Sequence, residues 1–161
     1  MEMVLFIGLQ ASGKSTFFHA RFAQTHVRVS KDQFPNNKNK DRRQQFLIET
    51  ALREEHSVVV DNTNPTAAAR QPLIALGQSL GATVIGYYFE SRLEDCLQRN
   101  QLRQGKSRVP DVALYATIKQ LQRPTYAEGF HQLFHVRLVG TEGHEVTDWV
   151  DEVDNHETRG H

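Results

Sequence analysis

Apolar residues fall in short runs at 3–7, 27–29, 57–60, 83–89 and 134–139, with amphipathic stretches between most of them. Val4-Leu5-Phe6-Ile7 and Val58-Val59-Val60 are apolar at every position, not every second one, which predicts strands covered on both faces. Strands that alternate with helices imply parallel βαβ units. The chain is therefore expected to form an α/β three-layer αβα sandwich with a central, mostly parallel sheet of about five strands. Between the strands, residues 42–55 place Phe46, Ile48, Ala51 and Leu52 at helical spacing. Pro65 suits the first turn of a helix running to Leu80, with Gly81 as its stop. Leu114, Ile118 and Leu121 form a third stripe, ended by Pro124.

At 161 residues the chain suits one compact domain. We assign it to residues 1–140, followed by an acidic C-terminal tail at 141–161. In that tail seven acids (Glu142, Glu145, Asp148, Asp151, Glu152, Asp154 and Glu157) face Arg159 alone, with Trp149 as an anchor. Nineteen basic residues balance nineteen acidic ones, so charge signals must be local. Cys96 is the only cysteine, which excludes an internal disulfide framework and a cysteine-based zinc cluster. Eight histidines lack metal-ligand spacing. No apolar run approaches the ~20 residues that cross a bilayer, and no signal peptide is read at the N-terminus. The expectation is a cytoplasmic protein with no membrane partner.

The first strand runs into Gly8-Leu9-Gln10-Ala11-Ser12-Gly13-Lys14-Ser15, which fits the P-loop pattern, with a helix predicted from Thr16. Backbone N–H groups of such a loop face a β-phosphate, and the helix dipole favours negative charge there. This predicts a P-loop NTPase fold in which Gly8, Ala11, Ser12, Gly13, Lys14, Ser15 and Thr16 bind nucleotide. Lys14 would bridge the β- and γ-phosphates, and Ser15 would ligate Mg²⁺. Ligands in such sheets sit at the carboxyl ends of the strands. The second strand leads there into Ser30-Lys31-Asp32 and the third into Asp61-Asn62-Thr63-Asn64. Asp61, after three valines, resembles a Walker-B acid on the metal, which leaves Asp32 free to accept a proton from an attacking hydroxyl. Such a free carboxylate implies a kinase and argues against a nucleotide-binding switch module. Between residues 91 and 123 seven basic residues face three acidic ones. Within that stretch 103–110 is read as an arginine-rich lid, with Arg103 on the nucleotide phosphates.

These pieces resemble the kinase domain of the polynucleotide kinase/phosphatase family. The resemblance runs from Val4 to about Leu138. It rests on the P-loop, Ser30-Lys31-Asp32, Asp61-Asn62-Thr63-Asn64-Pro65 with Arg70, and Arg99-Asn100 with Arg103. Val109-Pro110 and Pro124-Thr125-Tyr126-Ala127-Glu128-Gly129-Phe130 complete it. It implies an ATP-dependent and Mg²⁺-dependent polynucleotide 5′-hydroxyl kinase acting on DNA or RNA ends. Asp32 would be the general base, Asp61 and Thr63 would support metal and reacting groups, and Arg103 would be the lid arginine. Arg70 joins the substrate-binding set. The family's phage member carries an acceptor-binding arginine three residues after its base. Here that place is Pro35, so acceptor contact passes to Lys38, Arg42 or Arg43, of which Arg42 is our choice. The phosphatase motif Asp-x-Asp-x-Thr does not occur, which implies a kinase working with a separate phosphatase or ligase. The rival reading keeps the same catalytic residues but gives them a small hydroxyl compound: a sugar, a nucleoside or an antibiotic.

Overall fold

The computed structural model describes residues 1–140 and 143–150. Strands β1 (Glu2–Ile7), β2 (Val27–Val29), β3 (Val58–Asp61), β4 (Thr83–Glu90), β5 (Gln132–Val139) and β6 (Gly143–Asp148) form one sheet in the order β2-β3-β1-β4-β5-β6. The first five are parallel, and β6 runs antiparallel to β5. Helices α1 (Lys14–Arg21), α2 (Lys40–Arg53), α3 (Ala67–Ser79), α4 (Leu93–Leu102) and α5 (Asp111–Gln120) connect the strands.

The central strand β1 shows why an unbroken apolar run is needed. Met3, Leu5 and Ile7 enter the core that contains Ile48 and Leu52 of α2 and Leu73 and Ile74 of α3. Val4 and Phe6 enter the opposite core, with Phe17 and Phe18 of α1 and Phe22 beyond it. Alternate side chains of one strand thus serve the two faces of the sheet. Phe6 meets the rings of Phe17, Phe22 and Phe89 at centroid separations of 5.0–5.8 Å, in tilted or edge-on geometry.

Three expectations need correction. First, although the sheet is mostly parallel, as expected, 143–148 is paired along its length with β5 as a sixth strand and is not a solvated tail. Glu145 stands exposed between the half-buried His144 and Val146, and its carboxylate accepts from Arg137 of β5 at 3.1 Å. Trp149 is buried beside Tyr88, as an anchor would be. The remaining residues assigned to the tail, 141–142 and 151–161, lie outside the described residues. Second, α2 is turned so that Phe46 is 57% exposed while Gln44 is buried. Arg43 covers the Phe46 ring, with its guanidinium carbon 5.5 Å from the ring centroid in a cation–π contact. Third, Thr66 caps α3 through its side chain, so Pro65 precedes the helix, and on α5 it is Thr117, not Ile118, that joins Leu114 inside.

Candidate active site

The P-loop leaves the end of β1 in a form that only a restrained backbone allows. Gly13 holds φ at +95°, and a Cβ there would lie 3.1 Å from Leu138 of β5 and 3.2 Å from His144 of β6. Ala11 also has positive φ, at 61°, a region that costs a non-glycine residue about 1 kcal/mol or more. Remote partners hold the loop in that shape. The Gly8 N–H donates to the Thr63 carbonyl at 3.0 Å, and Arg99 Nε donates to the Ala11 carbonyl at 2.6 Å. His144 Nε2 lies 3.2 Å from the Gly13 carbonyl, and its ring packs edge-on against Phe17. Burial lowers the pKa of His144. Sequence reasoning missed both Arg99 and His144 as loop supports, because neither contact is local.

Gly13 caps α1 with no side-chain hydrogen bond, and no acid stands in the first turn. The uncapped N–H groups and the dipole therefore favour an anion. Lys14 is buried, and its ammonium donates to the Gly8 carbonyl at 2.9 Å and to the Leu9 carbonyl. Burial lowers its pKa to about 8, against an opposing pull from Asp61. Ser15 and Thr16 occupy the exposed first turn. Ser15 Oγ donates to Asp61 Oδ2 at 3.3 Å, and Asp61 is itself buried. A hydroxyl and a carboxylate converging in this way are the hard oxygen donors that suit Mg²⁺, so these two residues fit the metal expected for them. Arg28 of β2, unremarked in the sequence, also reaches this pair, with Nε donating to Asp61 Oδ2 at 2.8 Å.

A cavity of about 720 Å³ opens beyond the P-loop. Lys14, Ser15, Asp61, Thr63, Asp32 and Arg103 all line it. Asp32 sits in the 3₁₀ turn Lys31–Gln33, capped reciprocally by the Ser30 side chain and the Gln33 amide. The turn is tied to the next strand end, where Asn62 Oδ1 accepts from the Lys31 N–H at 2.9 Å. Asn62 in turn donates to the buried Gln44 amide. The Asp32 carboxylate is exposed to the cavity, with no ion pair or hydrogen bond to it among the described residues. Arg103 ends α4 and donates to the Ser107 carbonyl at 3.1 Å. Across the loop the fully buried Asn100 amide both donates to and accepts from Val109, at 2.7 and 3.1 Å. A second cavity, about 580 Å³, borders Arg99 and Asp95 on one side and Arg137 and Leu138 on the other.

Two residues expected at the substrate do not reach the cavity. Arg70 is fully buried, forking onto Glu128 at 2.8 and 3.2 Å and donating to the Asn64 and Gln122 carbonyls. Its donors are spent on joining the Asp-Asn-Thr-Asn-Pro turn to the 124–130 stretch, so it is an architectural residue. Arg42 lies on the exposed side of the first turn of α2, while Asp41, Gln44 and Gln45 of that helix face the cavity.

The model of the AAA domain family matches residues 3–124. The chain belongs to the AAA domain family. It carries that family's P-loop kinase domain, and it is similar to the bifunctional polynucleotide phosphatase/kinase of Schizosaccharomyces pombe, with 32% identity over 80% of this chain. The chain spans about a third of that relative's length, 32%. Among solved structures, a fungal RNA kinase superposes with a TM-score of 0.66 at 15% identity, covering 97% of this chain and 42% of the other. A gluconokinase from Sinorhizobium meliloti 1021 superposes with a TM-score of 0.61 at 17% identity, covering 87% and 84%. These two likenesses concern the fold. No helix among the described residues is long and apolar enough to cross a membrane.

Proposed function

We propose that this P-loop kinase transfers the γ-phosphoryl group of ATP to the 5′-hydroxyl end of a polynucleotide. The observation that carries the reading is the Asp32 carboxylate, which has no ion pair or hydrogen bond among the described residues and lines the same cavity as Lys14, Ser15, Asp61 and Arg103. A nucleotide's phosphates on the P-loop leave Asp32 on the far side of the transferred group, where it accepts the proton of the attacking hydroxyl. Ser15 and Asp61 would hold Mg²⁺, which neutralises charge on the β- and γ-oxygens. Lys14 and Arg103 bring positive charge to the phosphates. The second cavity, beside Arg99 and Leu138, is free for the nucleoside part of the donor. The polynucleotide acceptor is supported by the relative from S. pombe, and Thr63 and Asn62 stand on its side of the cavity. A product with a 5′-phosphate is what a separate ligase would consume.

One observation favours a smaller acceptor. With Arg70 buried and Arg42 turned away, the α2 side of the cavity holds Lys31, and that lysine is paired with Asp41. Its other walls there are amides (Gln44, Gln45, Asn62) and small apolar residues (Ala68, Ala69, Pro72). A neutral polyhydroxy compound or nucleoside fits such a wall. Label transfer from γ-labelled ATP and Mg²⁺ separates the two readings. Short DNA and RNA strands with 5′-OH ends should be labelled, 5′-phosphorylated strands should not, and Asp32→Asn should cut the rate of labelling by roughly a hundredfold or more. Nucleotide binding without labelling of either polymer would overturn the polynucleotide reading and move the search to small hydroxyl compounds.

A further inference from the structure

We infer that Arg28 is a tethered cation standing in the seat of the divalent metal, and that it sets how much metal the site needs before it loads. The inference rests on the kinase reading, because that reading assigns the metal to Ser15 and Asp61.

Arg28 is the middle residue of the three-residue edge strand β2. Val29 is buried in the core beneath α2 and α3. Strand alternation therefore turns Arg28 to the opposite face, toward α1. There its guanidinium meets both proposed ligands at once: Nε donates to Asp61 Oδ2 at 2.8 Å, and a terminal nitrogen donates to Ser15 Oγ at 3.3 Å. The two oxygens are themselves in contact at 3.3 Å, so guanidinium, hydroxyl and carboxylate close a triangle.

Burial is unequal within this triangle. The Asp61 side chain is 3% exposed, whereas that of Arg28 is 24% exposed and borders the large cavity. A carboxylate so buried requires a positive partner at all times. The guanidinium is partly exposed and borders the open cavity, so it can leave without burying its charge elsewhere. A Mg²⁺ ion binds its oxygens at ~2.0–2.1 Å. It cannot share Asp61 Oδ2 with a guanidinium at hydrogen-bond distance without bringing two cations together. One positive group must replace the other, and Arg28 keeps Asp61 satisfied until a metal does so. Lys14 behaves in parallel, since its ammonium rests on the loop's own carbonyls.

The test is direct metal binding. Free Mn²⁺ is followed by electron paramagnetic resonance as it is titrated into the full chain with ADP, for the wild type, Arg28→Gln and Arg28→Lys. Arg28→Gln keeps a donor for Asp61 but loses the charge. It should bind Mn²⁺ about tenfold more tightly, as expected if the arginine holds the seat about nine-tenths of the time. Arg28→Lys should fall between the two. In metal-free buffer Arg28→Gln should also melt at a lower temperature than the wild type and gain more from added Mn²⁺. Equal or weaker Mn²⁺ binding by Arg28→Gln, with an unchanged circular dichroism spectrum, would overturn the inference while leaving the kinase reading intact. If Arg28→Gln fails to fold, the same comparison is made with Arg28→Lys, whose binding equal to or weaker than wild type is the overturning result. Failure of the wild type itself to retain Mn²⁺ with ADP would remove the kinase reading and this inference together.

Discussion

The P-loop and the turn after β3 are held by bonds between residues far apart in the chain. Gly8 is tied to Thr63, Ala11 to Arg99, Asn64 to the Phe6 carbonyl and Arg70 to Glu128. The opposite rim is built otherwise. Within 103–108 the Arg103 guanidinium donates to Ser107, the Ser107 hydroxyl to Gln104 and the Arg108 N–H to Gly105, all within a few residues. Residues 35–43, leading into α2, are exposed throughout. A phosphate site must be preorganised, because its donors act only at fixed distances from developing charge. A rim that admits substrate needs low local stability, which few remote contacts provide. The contrast separates residues that shape the site from residues that act in it.

That contrast can be broken or sharpened by substitution. Asp32→Asn, on the open rim, should lower kcat by roughly a hundred- to ten-thousand-fold, the range for loss of a general base, with little change in melting temperature. A large loss of stability instead would make Asp32 a turn residue. Arg70→Gln should do the reverse. Breaking a buried ion pair by removing one partner costs about 3–5 kcal/mol, visible in denaturant unfolding, and any folded fraction should keep its KM for the acceptor. A raised KM at unchanged stability would restore Arg70 to the substrate.

Lys14 belongs to both sides of the comparison. Burial lowers its pKa from 10.5 to about 8, so between those values the unfolded chain binds more protons than the native one. Stability of the nucleotide-free protein should therefore rise as pH climbs through that window, a change worth about 3 kcal/mol. Lys14→Met should abolish nucleotide-dependent activity, flatten this pH dependence and raise the melting temperature at pH 7. A wild-type stability that is flat or falling from pH 8 to 10 would contradict the burial of a charged lysine. The smallest effect is expected at Arg42→Ala. An exposed position away from the cavity should change stability by no more than about 0.5 kcal/mol and leave labelling of 5′-OH ends within a factor of about three.

Much of the fold and of the phosphate-binding half was legible in advance, because the signals were local. Val4 to Ile7 and Val58 to Val60 are apolar at every position, the pattern of strands buried on both faces. The P-loop spacing is likewise a property of eight consecutive residues. The strand β6 was not legible. Its acids face outward on an edge strand, so its composition reads as a solvated segment, and only pairing with β5 reveals it. The exposure of Phe46 is hidden in the sequence for a related reason. A helix stripe shows which residues are apolar, but Arg43 shelters that ring on the surface while the cavity draws Gln44 inward.

From its sequence alone this chain was determined to be a P-loop α/β domain with Asp32 and Asp61 at neighbouring strand ends, since periodicity and short spacings are written in consecutive residues. Only the tertiary structure decided what the arginines do. A guanidinium reaches several ångströms in any direction and can meet phosphate, carboxylate or backbone carbonyl equally well. Arg70 meets Glu128, Arg99 meets the P-loop, Arg28 meets Asp61 and Arg103 faces the cavity. Each role depends on which remote group the fold brings within hydrogen-bond distance, and no spacing along the chain records that.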